Sequence, residues 1–310
     1  MMEILSQTTQ YLTTLSTIFL GIFIEALPYL LLGILASGIL EVFVRREFFL
    51  KHLPKNRYLG VIFGSFLGLA FPVCEHGVVP LVRRLYNKGL PASMGISFLL
   101  AAPVMNPIVI ASTLAAFGFG PVFYGRIGLT LIIAILTGLV FTLQKDGEVV
   151  KALSQELLFD CQHCNHEIDQ ALSFKQKLSQ AIVISGEEFF DIGLFFIIGA
   201  FLAAALQTFI PQSTLLALGG GPMLSILLMI ALAVVLSVCS TVDAFLALSF
   251  VANFSTGSIL AFLVYGPMID IKAILMFTRV FKKKTILYLA LIPLFLVILA
   301  TLFINFRLSV

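Results

Sequence analysis

Long apolar blocks, separated by short polar stretches, make up most of this chain. Each block reaches the length of about 20 residues that a helix needs to cross a bilayer. Lipid offers the backbone no hydrogen-bond partners, so such blocks predict helices, which satisfy their own backbone groups. The alternation of apolar and polar positions that is typical of a membrane β-barrel is missing. The eight blocks cover residues 12–44, 58–85, 90–117, 121–143, 181–210, 223–254, 256–277 and 285–306.

Basic residues predict how these blocks are oriented. They cluster at 45–57, 83–88, 145–177 and 279–284. Eight full crossings would place the first two clusters on opposite sides of the membrane, against the preference of basic loops for the cytoplasm. The conflict disappears if the second and sixth blocks are re-entrant hairpins that turn near residues 74–77 and 239–241. Both termini then lie outside, and eight full crossings are the alternative.

The two halves of the chain share landmarks in the same order, which predicts an internal duplication. Val73-Cys74 recurs as Val238-Cys239, and the segment 103–106 recurs as 267–270. Glu25 precedes Gly33 by the same interval as Asp191 precedes Gly199. With the hairpin topology the halves become inverted repeats. We therefore expect an all-α polytopic protein with a first membrane repeat at 1–143, a cytoplasmic linker at 144–180 and a second membrane repeat at 181–310.

Four apparent helix breaks coincide with these landmarks, at 71–74, 102–107, 236–239 and 265–267. Proline removes a helical hydrogen-bond donor and clashes with the preceding turn. Interrupted helices that meet at the midplane form the substrate site of many secondary transporters built from inverted repeats. The alternative interpretation is ordinary proline kinks in packed helices.

Composition supports a membrane protein, since 60% of the residues are hydrophobic and 11% are charged. Soluble domains carry about 25% charged residues. The N-terminus lacks a basic stretch and its first apolar block is too long for a signal peptide, so we expect a permanent helix. These features predict a multi-pass protein of the cell (inner or plasma) membrane, in contact with lipid and not with nucleic acid.

Ionisable residues inside the blocks are candidate functional groups, because each costs about 2.5–3.5 kcal/mol at the bilayer centre on insertion scales. Buried carboxylates suit proton coupling, for which Glu25 and Asp191 are candidates. Asp270 and Lys272 have a second interpretation, as solvated or paired charges near a helix end. The ionisable residues singled out in the blocks are Glu25, Glu75, His76, Asp191, Asp243, Asp270 and Lys272.

The four cysteines favour a thiophilic ligand. Cys74 and Cys239 occupy equivalent hairpin turns, where packing as small apolar residues is the alternative role. The other two belong to a cluster in the linker that suits Zn²⁺ or another thiophilic species, namely Cys161, His163, Cys164 and His166. This cluster is either a structural zinc clip or a metal-sensing or substrate-loading site. No cofactor besides this zinc is indicated.

Signature segments in both halves resemble the YraQ-like predicted permeases, which include the ArsP-type organoarsenical efflux permeases. The segments are FPVCEHGVVP at 71–80, KGLP at 88–91, FLLAAPVMNP at 98–107, LSVCSTVDAF at 236–245 and AFLVYGPMIDIK at 261–272. The resemblance implies a permease and, from characterised relatives, efflux of trivalent methylated or aromatic arsenicals. It also implies family cysteines at Cys74 and Cys239 and acidic positions at Glu75 and Asp243.

One departure from the family pattern leaves the substrate open. Cysteine-rich arsenical exporters are expected to carry a further thiol near the first hairpin, where this chain has Glu75 and His76. A divalent metal or another soft solute is therefore an alternative to an arsenical.

Together these observations predict a secondary transporter that exports a small thiophilic solute, either a trivalent arsenical or a soft metal, with proton coupling as an option. The chain has no phosphate-binding glycine loop and no Ser/His/Asp arrangement, so we do not expect an enzyme. The predicted substrate-binding residues are Cys74, Cys239, Glu75, His76, Asn106, Asp243 and Asp270.

Two alternatives belong to other functional classes. The first is an intramembrane thiol oxidoreductase that uses Cys74 and Cys239 as a redox pair. The second is a channel-like subunit that needs a partner protein, for example one that delivers metal through the linker. A homo-oligomer is a further open option.

Overall fold

The structure is a computed structural model that describes residues 2–43, 54, 56–70, 73, 75–144, 149–150, 174–209, 221–251 and 253–308. Every regular element in this part of the chain is a helix, and Val150 and Phe281 form an isolated antiparallel bridge. The helices are α1 (Met2–Phe43), α2 (Arg57–Ala70), α3 (Val78–Asn87), α4 (Ala92–Met105), α5 (Pro107–Phe117), α6 (Pro121–Phe141), α7 (Phe174–Phe209), α8 (Pro222–Leu236), α9 (Asp243–Leu248), α10 (Thr256–Met268), α11 (Ile271–Val280) and α12 (Lys283–Leu308).

Five helical segments are long and apolar enough to cross a membrane, and a sixth is the bent pair α4–α5. The five are Thr9–Phe43, Pro121–Phe141, Phe174–Thr208, Thr256–Val280 and Lys283–Arg307. Large apolar side chains cover the outer face of the last segment, where Phe295 is 66% exposed and Phe303 is 61% exposed. Such a surface is stable in lipid and not in water. The predicted all-α polytopic fold is confirmed.

The two halves have the same order of elements. A long helix is followed by a short helix, a turn, another short helix, a helix with an internal proline, a further helix and a final helix. In the first half these are α1 to α6, and in the second they are α7 to α12. This order agrees with a duplication, while the inverted orientation of the halves stays a prediction.

The second and sixth apolar blocks are each interrupted by a turn. The first tip (residues 73 and 75–77) lies between α2 and α3, and the second tip (residues 237–242) lies between α8 and α9. Ser237 begins the second tip in the left-handed conformation, with φ of 48°, which a non-glycine residue adopts rarely. The predicted breaks after α2 and α8 therefore lie where the sequence places them, and whether the hairpins are re-entrant stays a prediction.

The other two breaks differ: Asn106 lies within the predicted break at 102–107, whereas the break in the second half follows Pro267. Pro103 and Pro267 lie inside α4 and α10, and the helices end at Met105 and Met268. The predicted break at 265–267 is thus displaced toward the C-terminus. A proline removes only its own donor, and the start of the following helix is set by the residue that caps it.

The start of α7 also differs from the predicted boundary. The helix begins at Phe174, inside the predicted linker at 144–180. Its first residues are polar and largely exposed. The polar residues before the apolar block also form helix, so the length of the block underestimates the length of the helix.

Close packing at two glycines brings the long helices against the breaks. α1 runs along α7. A side chain at Gly33 of α1 would collide with the backbone of Gly77 in the first tip. A Cβ at Gly199 of α7 would lie 2.8 Å from Cα of Lys272 in α11. Small residues let membrane helices approach this closely, so each long helix lies directly against a polar break of the chain.

Candidate functional site

The two tips touch through a hydrogen bond between Ser240 and Glu75. The Ser240 hydroxyl donates to Oε2 of Glu75 over 3.0 Å. Glu75 is 3% exposed and Ser240 is fully buried. These residues directly follow Cys239 and Cys74 in the sequence, so the contact brings the two family motifs to one place.

His76 connects the first tip to the break before α11. Its Nδ1 lies 3.4 Å from Oε1 of Glu75, and its Nε2 lies 3.7 Å from Oδ2 of Asp270. The imidazole packs edge-on against the ring of Phe196 on α7, with centroids 5.3 Å apart. One fully buried histidine thus joins two carboxylates that come from different halves of the chain.

Asp270 and Lys272 anchor the start of α11 to the second tip. Oδ1 of Asp270 accepts a hydrogen bond from the backbone N–H of Ala273 over 2.6 Å and so caps the helix. Nζ of Lys272 lies 3.7 Å from Oδ2 of Asp270 and donates to the carbonyl of Ser237 over 2.6 Å. Both residues are nearly fully buried, so they are paired charges at a helix end and not solvated ones.

Arg126 on α6 pairs with Asp243 at the start of α9. Its Nη2 lies 2.7 Å from Oδ2 of Asp243 and 3.4 Å from the carbonyl of Ser240, and its Nη1 donates to the hydroxyl of Thr113 over 2.9 Å. Arg126 is fully buried. The sequence-based prediction omits this residue, although it lies alone among apolar residues in the block at 121–143, and that isolation is the signal for it.

Asn106 holds the equivalent break in the first half. Its side chain donates to the carbonyl of Val73 over 3.3 Å, and its Oδ1 accepts from the N–H of Ile108 over 2.9 Å. Asn106 therefore caps α5 as Asp270 caps α11. Its hydrogen bond to Val73 also ties the break before α5 to the first tip.

The thiol of Cys239 lies in the second tip, 2% exposed, and accepts a hydrogen bond from Thr241 over 3.4 Å. The backbone carbonyl of Cys239 accepts a hydrogen bond from the N–H of Asp243 over 3.0 Å. Cys74 lies outside the described residues, so the predicted pairing of the two thiols stays a prediction. The linker residues Cys161, His163, Cys164 and His166 also lie outside them.

The two proton-coupling candidates lie on the long helices. Glu25 on α1 interacts electrostatically with Lys272, Glu75 and His76. Its Oε1 is buried and accepts no hydrogen bond. Asp191 belongs to α7, and its side chain lies outside the described part of the structure. Glu25 on α1 is therefore within electrostatic range of residues from both tips' neighbourhood.

Taken as a whole, the charge cluster comprises Glu75, His76, Arg126, Asp243, Asp270 and Lys272. Counted in their ionised forms, three carboxylates face two cations, Arg126 and Lys272, which leaves one negative charge when the histidine is neutral. Within the described residues, no three His, Cys, Asp or Glu side chains lie close enough to hold a metal ion by themselves. The cluster can pair charges, pass a proton along His76, or bind a solute between the tips.

Comparison with known proteins agrees with a permease. Residues 11–306 match the model of the ArsP_1 family, described as a predicted permease. The chain belongs to this family. The permease resembles the UPF0718 protein YcgR of Bacillus subtilis, with 44% identity over 278 residues that cover 89% of this chain and 91% of the relative. No solved structure matches the chain.

A second relative carries a more specific name. It is a putative two-component membrane permease complex subunit of Streptococcus mutans, 39% identical over 271 residues that cover 87% of the permease and 88% of the relative. The family match and the apolar helices together confirm the resemblance found in the sequence and a multi-pass permease of the cell membrane.

Proposed function

We propose that this permease is a secondary transporter that exports a small thiophilic solute, a trivalent arsenical or a soft metal, through the site between its two tips. The observation that carries the proposal is the buried hydrogen bond from Ser240 to Glu75. The residues that follow Cys239 and Cys74 are in contact, which supports a site to which both halves contribute solute ligands.

Burial of so many polar groups within apolar helices supports a transport role. Ionisable residues are costly to bury among apolar helices, and intramembrane ionisable residues mark ion and substrate pathways. The cluster lies where helices from both halves are interrupted, and transporters bind their substrates at such interruptions. Movement of one half against the other would separate Ser240 from Glu75 and open the site.

Proton coupling belongs to the same proposal. His76 lies between the carboxylates of Glu75 and Asp270, and histidine exchanges protons near neutral pH. A proton on the cluster would neutralise its excess negative charge. Binding of solute and binding of a proton would then compete for the same charge, which is the basis of antiport.

Uptake into everted membrane vesicles tests the proposal. Trivalent methylarsenic and Zn²⁺ are supplied separately, with and without an imposed proton gradient. We expect one of the two solutes to accumulate only when the gradient is imposed. This accumulation is lost in Cys74→Ser and in Cys239→Ser, although the amount of protein in the membrane is unchanged. Ser249→Ala, an exposed site on the turn after α9, is the matched control. Accumulation of neither solute would contradict the proposal.

A second candidate function is a subunit that transports only with a partner protein, favoured by the name of the Streptococcus mutans relative. Solute flux is compared between liposomes that contain the purified permease and native membranes that contain it. Flux in native membranes alone would favour a partner, and flux in both would favour the permease acting by itself. The thiol oxidoreductase stays the third alternative; it predicts a disulfide between Cys74 and Cys239 and no flux.

A further inference from the structure

We infer that a cavity between α1 and α7 binds an acyl chain of a bilayer lipid, at the depth where the chains of the two leaflets meet. Such a lipid site is separate from the solute site between the tips and goes beyond the proposed function. Three features support an acyl chain as the ligand: an apolar lining that is open to lipid, a position at the middle of two spans, and a buried glycine that faces open space.

The lining of the cavity suits hydrocarbon. The cavity has a volume of about 330 Å³, and ligand sites range from about 300 to 1,000 Å³. Every lining residue that the structure describes is apolar. Phe190 and Leu194 line the cavity from α7 and are 79% and 55% exposed. The outer surface of a membrane helix faces hydrocarbon, so lipid and not water reaches the opening of the cavity.

The cavity lies at the depth of the bilayer midplane. Two of its lining residues, Leu27 and Gly193, lie close to the middle of the spans Thr9–Phe43 and Phe174–Thr208. The hydrocarbon core of a bilayer is about 30 Å thick, and the headgroups lie outside it. A lipid group that reaches the middle of these spans is therefore the end of an acyl chain.

The packing of α1 on α7 supports this depth. Phe19 in the first half of α1 lies beside Phe201 near the end of α7, with ring centroids 6.3 Å apart. Phe43 at the end of α1 lies beside Phe174 at the start of α7, with ring centroids 5.7 Å apart. The two helices therefore run antiparallel, and the cavity lies between these two contacts.

Equivalent positions of the two halves line the cavity. Leu27 and Gly193 are separated in the sequence by the same interval as Gly33 and Gly199. Equivalent residues that meet on antiparallel helices lie at the axis that relates the two halves. In inverted repeats this axis lies in the plane of the membrane, so the internal repeat and the length of the spans give the same depth.

Gly193 leaves room that an acyl chain can fill. It is buried, yet a Cβ at this position would meet no atom of the described residues within 4 Å. Buried positions are normally packed as densely as organic crystals, and side chains that line a void lose dispersion contacts. An acyl chain in the cavity supplies these contacts. The gain comes from packing, since lipid chains are as apolar as leucine.

One aromatic ring separates the cavity from the charge cluster. Phe196 lines the cavity and is 1% exposed, and its ring packs edge-on against His76 with centroids 5.3 Å apart. The ring of Phe23 on α1 lies beside the same ring, at 6.0 Å. An acyl chain in the cavity would therefore hold Phe196 against His76 from the lipid side.

Tryptophan fluorescence tests the lipid site, because the chain has no tryptophan. Phe190→Trp places the fluorophore at the rim of the cavity. Phe295→Trp places it on the outer face of α12, at the middle of the span Lys283–Arg307, and is the reference for ordinary contact with lipid. Each purified variant in detergent micelles is titrated with phosphatidylcholine that is brominated near the ends of its acyl chains, since bromine quenches tryptophan on contact.

We expect quenching in Phe190→Trp to saturate at a low ratio of lipid to detergent, because a single site fills. Quenching in Phe295→Trp is expected to rise in proportion to that ratio. Gly193→Leu, added to Phe190→Trp, fills the cavity and is expected to abolish the saturable quenching. Gly186→Leu on the same helix is the matched control, because a Cβ there also meets no described atom within 4 Å but lies outside the lining of the cavity.

Proportional quenching in both tryptophan variants would overturn the inference, and so would saturable quenching that persists with Gly193→Leu. If Gly193→Leu does not fold, the comparison of Phe190→Trp with Phe295→Trp decides. A second copy of the chain is the alternative occupant. Absence of quenching in Phe190→Trp, together with a dimer in light scattering, would overturn the inference in favour of that copy. None of these outcomes depends on solute flux, so the proposed function is tested separately.

Discussion

The hydroxyl of Ser240 donates a hydrogen bond of 3.0 Å to the carboxylate of Glu75, across 165 positions of the chain. Each residue belongs to the tip of an interrupted apolar block, and both are buried. It joins a residue from each half of the permease. In the proposed transport cycle, motion of one half against the other would break this hydrogen bond.

Ser240→Ala removes this hydrogen bond. A bond to a charged group contributes about 1.5–3 kcal/mol, so we expect solute flux in everted vesicles to change by about tenfold or more. Ser249→Ala loses only a bond to the local backbone of Leu246 and serves as the control. Equal flux in both variants and wild type would show that the contact between the tips has no part in transport.

Arg126→Gln leaves Asp243 as an unpaired buried charge. Removal of one partner of a buried ion pair costs about 3–5 kcal/mol, so we expect a lower melting temperature, measured by size-exclusion chromatography of heated fluorescent fusions. The double variant Arg126→Gln/Asp243→Asn removes both charges and is expected to recover most of the stability.

Recovery of stability in that double variant without recovery of flux would assign the pair a role in transport. If Arg126→Gln melts at the wild-type temperature, the pair does not stabilise the fold and the interpretation of its geometry is wrong.

Gly33→Val places a side chain against the backbone of Gly77 in the first tip. Overpacking of this kind costs about 1–3 kcal/mol, and it would push α1 away from Glu75 and His76. We expect reduced membrane abundance and loss of flux. The control is Gly21→Val on the same helix, where a Cβ meets no atom within 4 Å; a similar loss there would point to a general effect on α1.

Lys272→Met removes the ammonium that donates to Ser237 and lies beside Asp270. We expect destabilisation by about 3 kcal/mol, because the buried carboxylate loses its partner, together with loss of flux. Lys283→Met, at an exposed position at the start of α12, controls for the change in net charge. Wild-type stability and flux in Lys272→Met would contradict the role assigned to this pair.

Features that depend on residues adjacent in the sequence were predictable from the sequence. The apolar blocks predict helices because the bilayer requires a minimum length and internally satisfied backbone groups. The helices α2 and α8 end where the sequence predicts breaks. The break at 265–267 is displaced, because Pro267 stays within α10 and the capping carboxylate of Asp270 sets the start of α11.

The candidate site was predictable only as a set of unusual residues. Glu75, His76, Asp243 and Asp270 stand out as polar groups in apolar blocks, but nothing local indicates which of them meet. The prediction also omits Arg126, whose partner Asp243 is 117 positions away.

The sequence by itself determined the membrane fold, the order of the helices, the interruptions near Cys74 and Cys239 and the family, because hydrophobic length, proline and motif are properties of neighbouring positions. Tertiary structure alone decided that Ser240 meets Glu75, that Arg126 pairs with Asp243 and that His76 lies between two carboxylates. The physical reason is that a buried charge pairs with the group that packing brings within reach. At Gly33 and Gly199 this packing depends on the close approach of segments that are distant in the chain.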